Sequence, residues 1–312
     1  MSRPPIALIA GVTGAGKTRC AIELARRLDA ELIGADSVQI VRGFDIGSAK
    51  PTAAELDGVR HHLLDAVDPD EAIDAARYAE MADRAIADAD ARGKRAIVVG
   101  GTGLWTRALV RGLIALPSVE PALRRAIEAD LEARGPEVLH AELASIDPSA
   151  ASRIHPRDAL RIGRALEVYR QTGEPLGALQ DEHKLGAPRY PTIGFFLDVA
   201  DRSSLYAALR ARIASMIEHG WADEVRALLD RFGPDVRAMS SVGYRQMKDH
   251  VLDGVSIEET ARLAYKATRI YTRRQRTWYR TDPSRVVTTD AATLLGPHAD
   301  AIARFFEGER VS

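Results

Sequence analysis

Residues 5–30 read PIALIAGVTGAGKTRCAIELARRLDA, and the order of residue types in this stretch decides the fold. PIALIA is a short, uninterrupted apolar run, the pattern of a strand buried on both faces. TRCAIELARRLDA reads as a helix. Between them, Gly11-Val12-Thr13-Gly14-Ala15-Gly16-Lys17-Thr18 matches G-x-x-x-x-G-K-[ST], the phosphate loop, in its proper place after a strand and before a helix. Glycines let backbone N–H groups turn inward on a phosphate, and the helix N-terminus adds partial positive charge. Lys17 is then expected to neutralise phosphate oxygens, and the Thr18 hydroxyl to ligate Mg²⁺. A glycine turn without function is the competing reading. The loop alone names a diphosphate or triphosphate site, not the chemistry that follows.

Working outward, AELIGAD (30–36) is a second strand, MADRAIADADARGK (81–94) a helix and RAIVVGG (95–101) another apolar strand. Such alternation predicts a parallel sheet covered by helices on both faces. From about Leu116 to Pro191 the strands stop. VEPALRRAIEADLEARG, PEVLHAELASI and DALRIGRALEVYRQTG are helical by period and by their Gly or Pro ends. PTIGFFLDV restores a strand, and RVVTTD is a last one after a mainly helical stretch. The expected fold is α/β: a P-loop NTPase-like core, residues 1–116 and 191–312, with a parallel sheet flanked by helices and an all-helical insertion at 117–190.

The 312-residue chain has ample material for a core. With 43 Lys plus Arg against 44 Asp plus Glu, any nucleic-acid surface must come from local clustering. A single cysteine, Cys20, excludes an internal disulfide framework and a thiolate-rich zinc site. No stretch approaches the roughly 18–20 apolar residues of a membrane span. A cytoplasmic monomer is expected.

Asp36 follows the second strand at its C-terminal end, where open α/β sheets place ligands. Asp-Ser pairs are also common turn formers, so a structural aspartate competes with a functional one. The run ADSVQIVRGFDIGSAKP gathers Asp36, Ser37, Gln39, Asp45, Ser48 and Lys50 near the phosphate loop, and such a polar loop suits a second substrate.

Two helices carry arginines in informative places. In LYAALRARIASMIEHG, Leu205, Leu209, Arg212 and Met216 share one face, which puts Arg212 in an apolar stripe where an unpaired charge is costly. Either it belongs to an internal ion pair or it grips an anion. In ARLAYKATRIYTRRQRTWYR, Arg262, Lys266, Arg269, Arg273, Arg276 and Arg280 form a single-sign stripe. That is a solvated face or a phosphate-backbone contact. Leu263, Ala267, Ile270, Tyr271 and Trp278 lie opposite, together with Arg274, which is expected to pair an internal carboxylate or line a substrate channel.

GVTGAGKT, ADSVQIVRGFDIGSAKP, VRHHLLD, GGTGLW, RIHPRDALRIGRALEVYRQTGEP and RRQRTWYR occur in that order, and together they resemble the tRNA dimethylallyltransferases from about Ile6 to Arg280. The resemblance implies transfer of a dimethylallyl group from dimethylallyl diphosphate to an adenine amine of the tRNA anticodon stem-loop, with Mg²⁺. Asp36 becomes the general base, because an exocyclic amine is a poor nucleophile until it loses its proton. Gly11, Thr13, Gly14, Ala15, Gly16, Lys17, Thr18 and Arg212 become the diphosphate site. Thr102 touches substrate. Asp36, Ser37, Val38 and Gln39 meet tRNA, as do Arg161 and Arg164, with Arg125 a weaker candidate. SVGYRQM joins a flexible glycine, an aromatic ring and an arginine, which suits stacking of Tyr244 on a single-stranded loop nucleotide. Locally a tyrosine beside a glycine is more often packing, and the resemblance places Ser241, Gly243, Tyr244 and Arg245 against tRNA. Val41 and Trp105 stand where the family usually has tyrosines, which bears on base and prenyl packing. His61-His62 lacks a partner motif for zinc. Competing readings are a prenyltransferase for free adenine nucleotides, an ATP-dependent small-molecule kinase and a non-catalytic RNA-binding protein. The loop has the ATP-binding pattern, but the donor's diphosphate is expected there, without ATP hydrolysis.

Overall fold

The computed structural model describes residues 3–114, 116, 119–183, 187–282 and 286–309. It divides into two units, one formed by 1–112 with 188–312 and the other by 113–187. These divisions fall a few residues before the expected 116/117 and 190/191.

In the first unit, β1 (Ile6–Gly11), β2 (Ala30–Ala35), β3 (His61–His62), β4 (Arg95–Gly100), β5 (Thr192–Leu197) and β6 (Val287–Thr289) pair in the order β3-β2-β4-β1-β5-β6. Every pairing is parallel, with Ile6 opposite Ala96 on one side and Thr192 on the other. Along the chain run α1 (Lys17–Arg27), α2 (Ala53–Leu56), α3 (Ala75–Ala91) and α4 (Gly103–Arg111). The second unit supplies α5 (Pro121–Arg134), α6 (Pro136–Ile146), α7 (Pro148–Arg153), α8 (Ala159–Thr172) and α9 (Leu176–His183). The first unit resumes after β5 with α10 (Arg202–Glu218), α11 (Trp221–Phe232), α12 (Tyr244–Asp253), α13 (Ile257–Thr281), α14 (Ala291–Leu295) and α15 (Pro297–Phe306).

Strand side chains alternate between two cores. Ile6, Leu8 and Ala10 of β1, with Ala96 and Val98 of β4, join the core shared with α3, α4 and α10 to α13. Ala7 and Ile9, with Ile97 and Val99, join the other, under α1, α14 and α15. This period of two explains why β1 is apolar throughout and β4 from Ala96 onward: both faces are buried. Each Ile or Leu so buried contributes roughly 1.5–3 kcal/mol. Val41 and Trp105 both belong to the first core, Val41 in a bridge to Val67 and Trp105 stacked on Tyr78 with ring centroids 4.3 Å apart.

The second unit is all-helical around Ile127, Leu139, Leu143, Ile162 and Leu166. Pro121, Pro136 and Pro148 each occupy a first helical turn, where the missing N–H costs nothing. Asp147 is buried and holds the Ala150 amide at 2.9 Å and the Gly177 amide at 2.7 Å, tying α7 to α9.

α13 buries a different face from the one its apolar residues suggest. Its buried positions are Thr260, Ala264, Thr272, Gln275 and Tyr279, whereas Leu263, Ala267 and Ile270 are only half-buried. Arg274 is exposed and makes no ion pair among the described residues, so the expected internal partner is absent. The basic stripe is also broken up. Arg262 pairs with Glu259, Arg269 lies over the Tyr206 ring at 4.2 Å, and Arg276 grips Asp198 at 2.7 Å. Lys266, Arg273 and Arg280 are exposed and make no ion pair among the described residues.

Candidate active site

The polar residues converge at the C-terminal ends of β1, β2 and β4, beside α10 and α13. β1 leads into the glycine loop, where Gly14 (φ 87°) and Gly16 (φ 83°) adopt the left-handed region that L side chains rarely enter. The Val12 amide is tied to the Leu197 carbonyl at 3.1 Å, and the Ala15 amide to the Val12 carbonyl at 3.2 Å. Cys20 is the first amide to donate back to the loop, to Gly16 O at 3.1 Å. The amides of Lys17 and Thr18 in the first turn, like those of Gly14 and Gly16, have no protein acceptor among the described residues. They are the donors left for an anion. Leu205 and Leu209 of α10 pack under Gly14, where an added Cβ would meet Leu209 at 2.9 Å.

The Thr13 amide is not one of those donors. It donates to Gln275 Oε1 at 2.9 Å, and the Thr13 hydroxyl does so at 3.3 Å. Gln275 Nε2 donates in turn to the Gly101 carbonyl at 3.2 Å. A buried glutamine of α13 thus links the phosphate loop to the turn after β4. The sequence reading passed it over, because the partners lie far apart in the chain.

Lys17 Nζ donates to the Val12 carbonyl at 3.0 Å. Burial pulls its pKa down to about 8, opposed by the charge of Asp36 and reinforced by that of Arg212. The same two forces act on Arg212, whose pKa burial lowers and Asp36 raises. Arg212 makes no ion pair within 4 Å among the described residues, so an internal salt bridge is not what holds it in the apolar stripe of α10. Its Nη2 donates to the Ser48 carbonyl at 3.0 Å, which leaves other guanidinium N–H groups for a ligand.

Asp36 stands one residue past β2. Its Oδ1 accepts from the amides of Val38 (2.9 Å) and Gln39 (3.2 Å), the turn geometry that Asp-Ser foretells. Oδ2 accepts nothing among the described residues, so the structural role of the carboxylate occupies only one of its two oxygens. Thr102, after β4, accepts from the Ser37 amide at 3.1 Å and ties the two strand ends together. Tyr271 of α13 completes the wall. Burial and then the Asp36 charge raise its pKa, while Thr102 and Gln275 partly offset them. Gln39 is turned away, its Nε2 donating to the carbonyls of Ser48 (3.1 Å) and Ala49 (3.0 Å).

The other expected contacts divide. Arg245 is exposed. Tyr244 is not available for stacking: it is 0% exposed, packs against Phe44 with ring centroids 4.7 Å apart, and donates to Glu224 at 2.7 Å. That corrects its expected role as a base-stacking residue. Gly243 is buried at the start of α12 with φ 94°, close to Trp221, and Ser241 is half-buried. In the second unit, Arg125 and Arg161 are exposed, and Arg164 is half-buried beside Glu167 at 3.1 Å. His61 and His62 form the short edge strand β3. His62 bonds to Glu31 at 2.6 Å, and no cluster of metal-ligating side chains occurs among the described residues.

A parallel sheet, a glycine loop with unpaired amides and a helix N-terminus define a P-loop-like α/β core, with those free donors and a carboxylate at the same end of the sheet. Residues 39–282 match the family model described as IPP transferase, and the chain belongs to that family. It is 46% identical over 281 residues to a protein named tRNA dimethylallyltransferase 1 from Pelobacter propionicus, covering 90% of this chain and 91% of that one. A tRNA dimethylallyltransferase from Sorangium cellulosum is 46% identical over 273 residues, covering 88% and 87%. The crystal structure of a tRNA isopentenylpyrophosphate transferase from Bacillus halodurans is 34% identical with a TM-score of 0.72, and covers 98% of each chain. A eukaryotic dimethylallyltransferase acting on tRNA is 26% identical with a TM-score of 0.83, covering 99% of this chain and 81% of that one.

Proposed function

We propose that the chain transfers the dimethylallyl group of dimethylallyl diphosphate to the N6 amine of the adenosine 3′ of the anticodon in tRNA, releasing diphosphate. One observation carries this reading: an unpartnered carboxylate oxygen of Asp36 sits in the same electrostatic cluster as Lys17 and Arg212. In the reaction the N6 nitrogen forms a bond to the allylic carbon as the carbon–oxygen bond to diphosphate breaks. The leaving oxygen keeps the electron pair, and the N6 proton passes to Asp36 Oδ2. Lys17, Arg212 and the amides of Gly14, Gly16, Lys17 and Thr18 stabilise the charge that develops on the diphosphate. Thr102 and Ser37 line the acceptor side next to the base.

The Thr18 hydroxyl makes no hydrogen bond within the protein among the described residues, which suits a ligand of Mg²⁺. Mg²⁺ binds through few protein groups when phosphates and water complete its shell. When bound, it would neutralise diphosphate charge. Arg125, Arg161, Arg164, Ser241 and Arg245 are assigned to the tRNA, and the chain is taken to work as a cytoplasmic monomer.

The test is to supply γ-labelled ATP, dimethylallyl diphosphate and unmodified tRNA together with Mg²⁺, and to follow both phosphate and diphosphate release. Diphosphate release that requires tRNA, with ATP untouched, is expected. Phosphate release or transfer from ATP that tracks turnover would replace the prenyl reaction with a kinase.

A further inference from the structure

Arg212 owes its place to a carbonyl, and that carbonyl belongs to a loop held from elsewhere. Ser48 O accepts both Arg212 Nη2 (3.0 Å) and Gln39 Nε2 (3.1 Å), so the position of one loop sets the direction of both side chains. The loop has no regular structure to fix it. Instead, consecutive amides converge on one carboxylate of α11. Asp45 N (3.0 Å) and Ile46 N (2.6 Å) donate to Glu224 Oε2, and Gly47 N (3.2 Å) donates to Oε1. The Tyr244 hydroxyl donates to Oε1 as well, at 2.7 Å. Burial and the neighbouring Glu224 both raise the Tyr244 pKa, so it remains a neutral donor. Beneath the loop, Trp221 and Tyr244 pack so closely on Gly47 that an added Cβ would lie 2.1 Å from the indole nitrogen. The loop is therefore pinned from both sides one residue before Ser48.

We propose that Glu224 is a positioning residue for the donor site: through the 45–47 amides and the Ser48 carbonyl it aims Arg212 at the diphosphate, and Tyr244 locks Glu224 in that role. This rests on the reading of Arg212 as a diphosphate ligand. A carboxylate is needed because all four partners are donors, and it offers acceptors only. Glutamine would turn an NH₂ toward at least one backbone N–H, whichever way the amide is flipped, and the loop would have to move. Tyr244, which looks like a nucleotide-stacking residue in sequence, thus acts on the opposite substrate.

The experiment is a double-mutant cycle on the full chain with unmodified tRNA, using Glu224→Gln, Arg212→Lys and the pair. Tyr244→Phe serves as a second entry to the cycle, since it keeps the ring and removes only the hydroxyl. Melting curves are recorded for each, and kcat/KM is measured separately for dimethylallyl diphosphate and for tRNA. A displacement of order 1 Å at a reacting group costs about 100-fold, so Glu224→Gln is expected to lower donor kcat/KM about 10- to 100-fold, and Tyr244→Phe several-fold in the same direction. The KM for tRNA should hold. In the pair, the Glu224→Gln effect should largely vanish, because Arg212 is already displaced. Fully additive effects, or a raised KM for tRNA with the donor KM unchanged, would overturn the proposal while leaving the transferase reading intact. An Arg212→Lys variant with unaltered donor kinetics would instead remove Arg212 from the diphosphate and the proposal with it. If Glu224→Gln does not fold, the Tyr244→Phe cycle decides by the same criteria.

Discussion

Replacing Gln275 with alanine should cost stability and donor binding together. The side chain is 4% exposed and bridges the Thr13 amide, the Thr13 hydroxyl and the Gly101 carbonyl. Truncation leaves one amide and one carbonyl without their partner; the hydroxyl can rotate. A buried polar group left unsatisfied costs about 1–3 kcal/mol, so the two sum to about 2–6 kcal/mol. A water entering the gap would favour the low end, and about 3 kcal/mol is the working figure. For a domain of about 150–250 residues, each kcal/mol shifts Tm by about 2–4 °C, giving a drop of about 6–12 °C. Scanning calorimetry reads this directly. Gln275→Glu is the comparison: it keeps an acceptor for Thr13, loses the donor to Gly101, and brings a negative charge to the loop that must hold diphosphate. It should melt higher than Gln275→Ala yet bind dimethylallyl diphosphate worse. A Tm within about 2 °C of wild type for Gln275→Ala would refute the bridge as a stabilising element.

Asp36→Asn keeps the turn, since its side-chain oxygen can still accept from Val38 and Gln39, but removes the base; kcat should fall about 100- to 10,000-fold with Tm unchanged, checked by single-turnover transfer and calorimetry. Lys17 is charged below and neutral above a pKa of about 8. Donor kcat/KM should therefore fall as pH rises through that value, a limb that Lys17→Arg, charged throughout, should abolish. Glu31 is held down at about 2, from 4.5, by hydrogen bonds from Arg92 and then His62. With a depressed folded pKa, its contribution is complete above the unfolded value and lost as pH falls from 4.5 toward about 2. Tm of Glu31→Gln should lie below wild type at neutral pH and converge on it across that window; parallel curves would contradict this. Arg274→Ala, at an exposed position with no ion pair among the described residues, should change stability by no more than about 0.5 kcal/mol in urea titration.

The sheet was legible because strands buried on both faces have no choice but to be apolar, as Ile6–Gly11 is along its length and β4 is from Ala96 onward. The glycine loop was legible because its φ values demand glycine at Gly14 and Gly16. Arg212 was found by its presence in an apolar stripe. α13 misled for the opposite reason: its buried face carries Thr260, Thr272 and Gln275, whose hydrogen-bond partners are invisible to a hydrophobic period. Glu224 was missed likewise, since its acceptors serve amides far away in sequence. Tyr244 carried a sequence signal for stacking that its burial cancels. β3 escaped because two histidines at a sheet edge have no strand pattern to show.

The decisive measurement is transfer of label from dimethylallyl diphosphate to unmodified tRNA with Mg²⁺, for wild type and Asp36→Asn in parallel, followed by digestion to nucleosides. Label on adenine N6 with wild type, and its loss in Asp36→Asn while tRNA still binds, is the expected result. Label carried only by AMP or ADP would move the activity to free nucleotides, and no label on any adenine would contradict the prenyl transfer itself.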